Sequence, residues 1–156
     1  MEQIINKDLL VKVAEVELVY KSKVKASERP VVQSSTDAAN ILRILWEDGK
    51  LELVEQFKVL FLNRSNKVIC IYNVSSGGVT GTVADPKLIF MAALRINAVS
   101  LILCHNHPSG SLKPSRADEE LTQKIKGAGT FLDIKVLDHV ILTSESFFSF
   151  ADEGLL

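Results

Sequence analysis

Cysteine, proline and aromatic residues are all scarce in this chain, with two cysteines, four prolines and 6% aromatics in 156 residues. Two cysteines do not make a disulfide-stapled scaffold. Cys70 and Cys104 lie in the apolar runs KVICIYNV and AVSLILC, where each suits a small buried hydrophobe. There is no proline-rich linker, internal repeat or low-complexity tract to divide the chain. No apolar run approaches the ~20 residues that span a bilayer. The opening MEQIINKDLLVK puts charges where a signal peptide needs an apolar stretch. A reducing cytoplasmic compartment without membrane contact is the expectation. A large charge of either sign is missing too: the formal net charge is -1, which gives no global electrostatic case for nucleic acid or an anionic membrane. Lys21, Lys23, Lys25 and Arg29 then read as a solvated face. What is present, 47% hydrophobic and 24% charged residues, is the balance of an ordinary globular protein long enough to bury one real core.

The order of elements is mixed. VKVAEVELVY, residues 11–20, alternates apolar and polar residues and predicts a half-buried strand. In SSTDAANILRILWEDGK, Ser35 or Thr36 can cap a helix with Ala38, Ile41, Leu42 and Leu45 on one face, ended by Gly49. FKVLFLN and KVICIYNV, separated by RSN, predict a β-hairpin. The glycine-rich SSGGVTGTV, from Ser75 to Val83, has no following Lys-Ser or Lys-Thr, so a turn with an edge strand is expected rather than a phosphate cradle. Asp85-Pro86 opens a helix over PKLIFMAALRINA, with the aspartate as cap and proline in the first turn. AVSLILC reads as a strand buried on both faces. SRADEELTQKIKGAG reads as a helix closed by its glycines, and DIKVLDHVILT as a further strand. The pattern predicts an α/β domain, a mixed β-sheet sandwiched by helices.

Between the buried strand and the last helix stands HNHPSGSLKPSRAD, residues 105–118. Side chains at i and i+2 of an extended chain share a face, so His105 and His107 point together, on backbones roughly 6–7 Å apart. Pro108, Ser109-Gly110 and Lys113-Pro114 let the loop turn back. Asp118, in the first turn of the next helix, is then placed to supply a third, anionic ligand. Two histidines and one carboxylate are the open-sided set of a catalytic zinc, with water in the fourth position. Alternation points Cys104 to the opposite face, away from this set. The same residues also fit a plainer account: Ser115-x-x-Asp118 is a helix-start signature, and a two-histidine loop can hydrogen-bond its own turn. Spacing alone leaves both open. His139, in VLDHVIL, reads as a hydrogen-bonded core histidine rather than a fourth ligand, and Asp133 and Asp138 as strand-edge acids.

His105, His107, Ser115 and Asp118 fit without a gap the pattern H-x-H, seven residues, serine, two residues, aspartate. This resembles the JAMM motif of the JAB/MPN metalloprotease family. LILCHNHPSG, the PS that follows, LDHVIL and the terminal GLL resemble its bacterial RadC-like branch. The match begins at about Pro30, leaving residues 1–29 as an N-terminal strand and connecting segment before a domain over residues 30–156.

The resemblance implies a JAB/MPN, cytidine-deaminase-like fold, a Zn2+ cofactor on His105, His107 and Asp118, and hydrolysis of a peptide or isopeptide amide in a peptide or protein substrate. It also implies a general base upstream. The matching segment EQFKVLFLN makes this Glu55, which the residues alone do not select over Glu47 or Glu52. Ser115 takes the role of oxyanion donor, in competition with its role as helix cap. Two departures stand out. Full-length RadC-like proteins carry an N-terminal helix-hairpin-helix region, whereas about 30 residues precede the match here. The family's usual histidine before the helix proline is Asp85. A DNA repair or nucleic-acid accessory factor, and a metal-binding interaction module without turnover, are the alternative functions.

Overall fold

The computed structural model describes residues 19–77 and 84–156. Most of the strand expected over residues 11–20, and most of the SSGGVTGTV segment, lie outside them; residues 19 and 20 are not in a strand. Among the described residues five strands form one sheet in the order β2-β1-β3-β4-β5. They are β1 (Gln56–Leu62), β2 (Val68–Ser76), β3 (Ser100–Asn106), β4 (Lys135–Leu142) and β5 (Phe147–Ser149). Neighbours are antiparallel except β3 and β4, which run parallel. Among the described residues three α-helices flank the sheet: α1 (Ser35–Leu45), α2 (Pro86–Arg95) and α3 (Arg116–Phe131), the last being the crossover between the parallel pair. The result is the expected α/β domain with a mixed sheet. No helix among the described residues is long and apolar enough to cross a membrane.

Every residue of β1 and of β3 is buried, because helices cover both faces of these central strands. Val59, Phe61, Leu101 and Leu103 share one core with Ile89, Phe90 and Ala93 of α2 and Ile125 of α3. Leu60, Leu62, Ile102, Cys104 and Val140 share the other with Ala38, Ala39 and Leu42 of α1. Strand alternation thus divides the histidines from Cys104, as the sequence predicts. The hairpin between β1 and β2 closes where Asn63 Oδ1 accepts from the backbone N–H of Ser65 (2.9 Å) and Lys67 (3.0 Å).

Several element ends differ from expectation, each for a local reason. The cap of α1 is Ser34, whose hydroxyl accepts from Asp37 N–H (3.1 Å) while the Asp37 carboxylate accepts from Gln33 N–H (3.0 Å). Ser35 instead donates to Asp152 (2.6 Å). The helix stops before Gly49 because Trp46 turns extended and buries its ring in the core. In α3 the glycines do not end the helix; it runs on to Phe131. A Cβ on Gly129 would collide with the Ile134 carbonyl, so this glycine lets the helix lie close to the strand that follows.

One reading of a polar residue is overturned, and one buried charge was not anticipated. Asp133 is exposed in the turn before β4, but Asp138 is not an edge acid. It is buried, with its carboxylate accepting from Ser149 Oγ (2.7 Å), His139 N–H (2.7 Å) and Ala151 N–H (3.0 Å). It anchors β5, a strand the sequence pattern did not reveal. Lys58, inside an apparently apolar run, is only 1% exposed. Its ammonium lies 4.6 Å from the Trp46 ring centroid and 3.7 Å from the Glu47 carboxylate.

Candidate metal centre

Three elements meet at the end of the parallel pair. His105 is near the last residue of β3. His107 follows it, tied back to β4 by donating its N–H to the Leu142 carbonyl (3.1 Å). Asp118 lies in the first turn of α3, whose cap is Ser115. The loop between closes tightly: Gly110 N–H donates to the His107 carbonyl (3.0 Å), with Gly110 at φ +78°, a conformation suited to glycine.

The three side chains converge. His105 Nε2 and His107 Nε2 are 3.0 Å apart, and Asp118 Oδ1 is 3.5 Å from His105 Nε2. One ligand atom from each lies within 4.8 Å of the others, and this is the one such group of potential metal ligands among the described residues. The donor set fits a divalent cation of the zinc type: two imidazole nitrogens and one carboxylate oxygen, with no fourth protein ligand among the described residues. His107 Nδ1 is committed to the Ser111 carbonyl (2.7 Å), an acceptor only, so its hydrogen is there and Nε2 holds a lone pair. Cys104 is no competing ligand. Its thiol is fully buried on the other face, and burial pushes it well above the ordinary cysteine range.

The helix-start reading of Ser115-x-x-Asp118 is met, and the cap engages only one of the two Asp118 oxygens. Oδ2 accepts from Ser115 N–H (2.7 Å) and Ser115 Oγ–H (2.6 Å), while Ser115 Oγ accepts from Asp118 N–H (3.2 Å). That capping box fixes the carboxylate and leaves Oδ1 facing the imidazoles. Ser115 therefore spends its hydroxyl proton on Asp118 in this state.

The glutamate candidates also separate. Glu47 pairs with Lys50 and Lys58 on the α1 face, and Gln56 Nε2 donates to it (3.5 Å). Glu52 is exposed. Glu55 is half-buried, two residues before Phe57, which pairs with His105. Glu55 lies just before β1, where the Asn106 side chain binds the backbone of its neighbours Val54 and Gln56.

Two residues that sequence reasoning did not assign to the site act at one remove. His139 is hydrogen-bonded within the core, as expected, yet it touches the ligand set: its Nε2 is 2.8 Å from His105 Nδ1, and its Nδ1 is 2.6 Å from Thr122 Oγ1. The Leu103–His139 pairing that brings it there is a long-range register, invisible in a single strand's pattern. Asn106, between the two histidines, faces the other side. Its Oδ1 accepts from Gln56 N–H (2.7 Å), and its Nδ2 donates to the Leu51 (2.7 Å) and Val54 (2.9 Å) carbonyls, so it holds the segment that carries Glu55. Burial, first of all, depresses His105 to about 4; the Asp118 charge opposes this and His107 adds to it. Burial likewise holds His139 well below the usual histidine range. Both rings are neutral at physiological pH, the state in which imidazole binds metal.

Residues 32–155 match the RadC-like JAB domain. A UPF0758 protein of Flavobacterium johnsoniae is 51% identical over 124 residues, covering 80% of this chain and 53% of the relative. UPF0758 proteins of Leptothrix cholodnii and Porphyromonas gingivalis are 43% and 41% identical, over 83% and 86% of this chain and 57% and 60% of theirs. The chain thus spans a little over half the length of these relatives. By sequence match, it belongs to the RadC-like JAB family.

Proposed function

We propose that this protein is a zinc-dependent hydrolase of the JAMM type, acting on peptide or isopeptide amides. The observation that carries this reading is the convergence of His105 Nε2, His107 Nε2 and Asp118 Oδ1 on one point, with no fourth protein ligand among the described residues. Family membership supports a metal-dependent hydrolase of this kind. His105, His107 and Asp118 would hold the zinc, which when bound would supply a Lewis acid that brings the pKa of water toward neutrality.

The chain's own residues supply the rest. Glu55 takes a proton from the attacking water and returns it to the leaving amine. Ser115, whose hydroxyl is bonded to Asp118 here, turns it toward the developing oxyanion during turnover, a contact typically worth ~2.7–4 kcal/mol.

Zinc content and turnover test the reading separately. Wild type should bind one zinc and His107→Ala should lose it; equal metal in the two removes the proposed site. Glu55→Gln should keep the metal and lose hydrolysis of an isopeptide-linked probe. Full activity in that variant takes Glu55 out of the reaction.

A further inference from the structure

We propose that Thr122 and His139 are positioning residues that decide which nitrogen of His105 carries its hydrogen, and so turn a bare Nε2 toward the metal. The chain of hydrogen bonds can be solved from its fixed end. Thr122 Oγ1 lies 2.6 Å from the Asp118 carbonyl oxygen, which can only accept, so the single hydroxyl proton goes there. Thr122 Oγ1 is also 2.6 Å from His139 Nδ1, so the hydrogen of that bond belongs to His139 Nδ1.

The His139 ring is fully buried. It stacks on Phe150 (centroids 4.7 Å apart) and lies tilted against Phe57 (5.5 Å), so apolar rings face it where a counter-charge would have to stand. Neutral there, it has one hydrogen, already placed, and its Nε2 is bare. The hydrogen of the 2.8 Å bond to His105 must then sit on His105 Nδ1. His105 Nε2 is left with a lone pair, facing the lone pair of His107 Nε2 at 3.0 Å and Asp118 Oδ1 at 3.5 Å. Three electron-rich atoms turned on one another are relieved by a cation.

The opposite assignment fails at the far end. A hydrogen on His105 Nε2 would require His139 to donate from Nε2, and its bare Nδ1 would then face the Thr122 oxygen with no hydrogen between them. Thr122 and Asp118 are four residues apart on α3. The docking of one helix therefore places the carboxylate ligand and, through Thr122, orients the imidazole ligand. Ligand histidines commonly have such an outer partner on the second nitrogen. Here that partner is a neutral imidazole whose direction a threonine sets.

The placement of hydrogens can be tested without metal, while its consequence for affinity rests on the zinc reading. The chain has three histidines, all in this cluster. A long-range 1H–15N correlation spectrum of the metal-free protein at neutral pH should show all three protonated on Nδ1. A hydrogen on His105 Nε2 overturns the proposal. Thr122→Val should weaken zinc binding, read by chelator competition, about 10–100-fold, with Thr122→Ser restoring it to within a few-fold. Wild-type affinity in the folded valine variant also overturns it. Should that variant not fold, the wild-type spectrum decides alone. Wild type that binds no zinc yet shows the three Nδ1 hydrogens would remove the hydrolase reading and leave the hydrogen-bond relay standing.

Discussion

Asn106 stands between two histidines and works on the other side of the sheet. It satisfies the N–H of Gln56, the first residue of β1, and two carbonyls of the segment before it. Truncation leaves those groups without a partner in a buried place, at about 1 kcal/mol or more each. Asn106→Ala should therefore lower stability by about 2–4 kcal/mol in urea unfolding, and should depress turnover more than zinc affinity, because it frees the segment bearing Glu55 rather than a ligand.

Lys58 poses the opposite question, a charge that the fold would do better without. Burial, against the pull of Glu47, holds its amine below the ordinary 10.5. A depressed folded value means that the unfolded chain holds the proton more tightly. The cost of the buried charge is thus complete at neutral pH and shrinks as pH rises toward 10.5. Lys58→Met should raise the unfolding free energy at pH 7 by ~1 kcal/mol, at the low end of such replacements, seen as a higher urea midpoint, and the gain should fade at pH 10. The single Trp46, 4.6 Å from the ammonium, gives a fluorescence readout of the same titration.

At the scale of elements, α3 contains a pair of glycines with opposite expected behaviour. A methyl group added at Gly127 would meet nothing within 4 Å, whereas one at Gly129 would run into the Ile134 carbonyl. Gly127→Ala should stabilise the protein by about 0.4–1 kcal/mol, and Gly129→Ala should destabilise it despite alanine's better helix propensity. Thermal unfolding of the two variants checks both signs. The sequence pattern could not tell these glycines apart, since the difference lies in which strand the helix packs on. The same limit explains the other departures. Helix starts at Asp85 and Ser115 were legible because a cap is a local signal. The end of α1 was not, because burial of Trp46 overrides the glycine beyond it. β5 is three residues long and is held by Asp138, whose burial depends on pairing at a distance.

At the scale of the molecule, the centre joins β3, β4 and α3 around one point. An ion bound to the folded form alone should tighten that junction. Zinc at about 100 times its Kd should add about 2.7 kcal/mol to unfolding, seen as a rise in Tm that a chelator reverses and that His107→Ala lacks. The candidate cluster was legible in the sequence because His105, His107 and Asp118 fall within fourteen residues of chain, with spacing that has a geometric meaning. Glu55 was not legible from the residues themselves. Its place depends on the register of β1 against β3, and only the family resemblance separated it from Glu47 and Glu52. His139 and Thr122 were hidden for the same reason.

This division has a consequence for descent. The proposed metal ligands lie together in one short stretch of chain, while the proposed proton carrier sits about fifty positions upstream and is joined to them through Asn106. A lineage can lose its chemistry by one change in that upstream stretch and still pass on an intact ion-holding scaffold, free to be selected for something else.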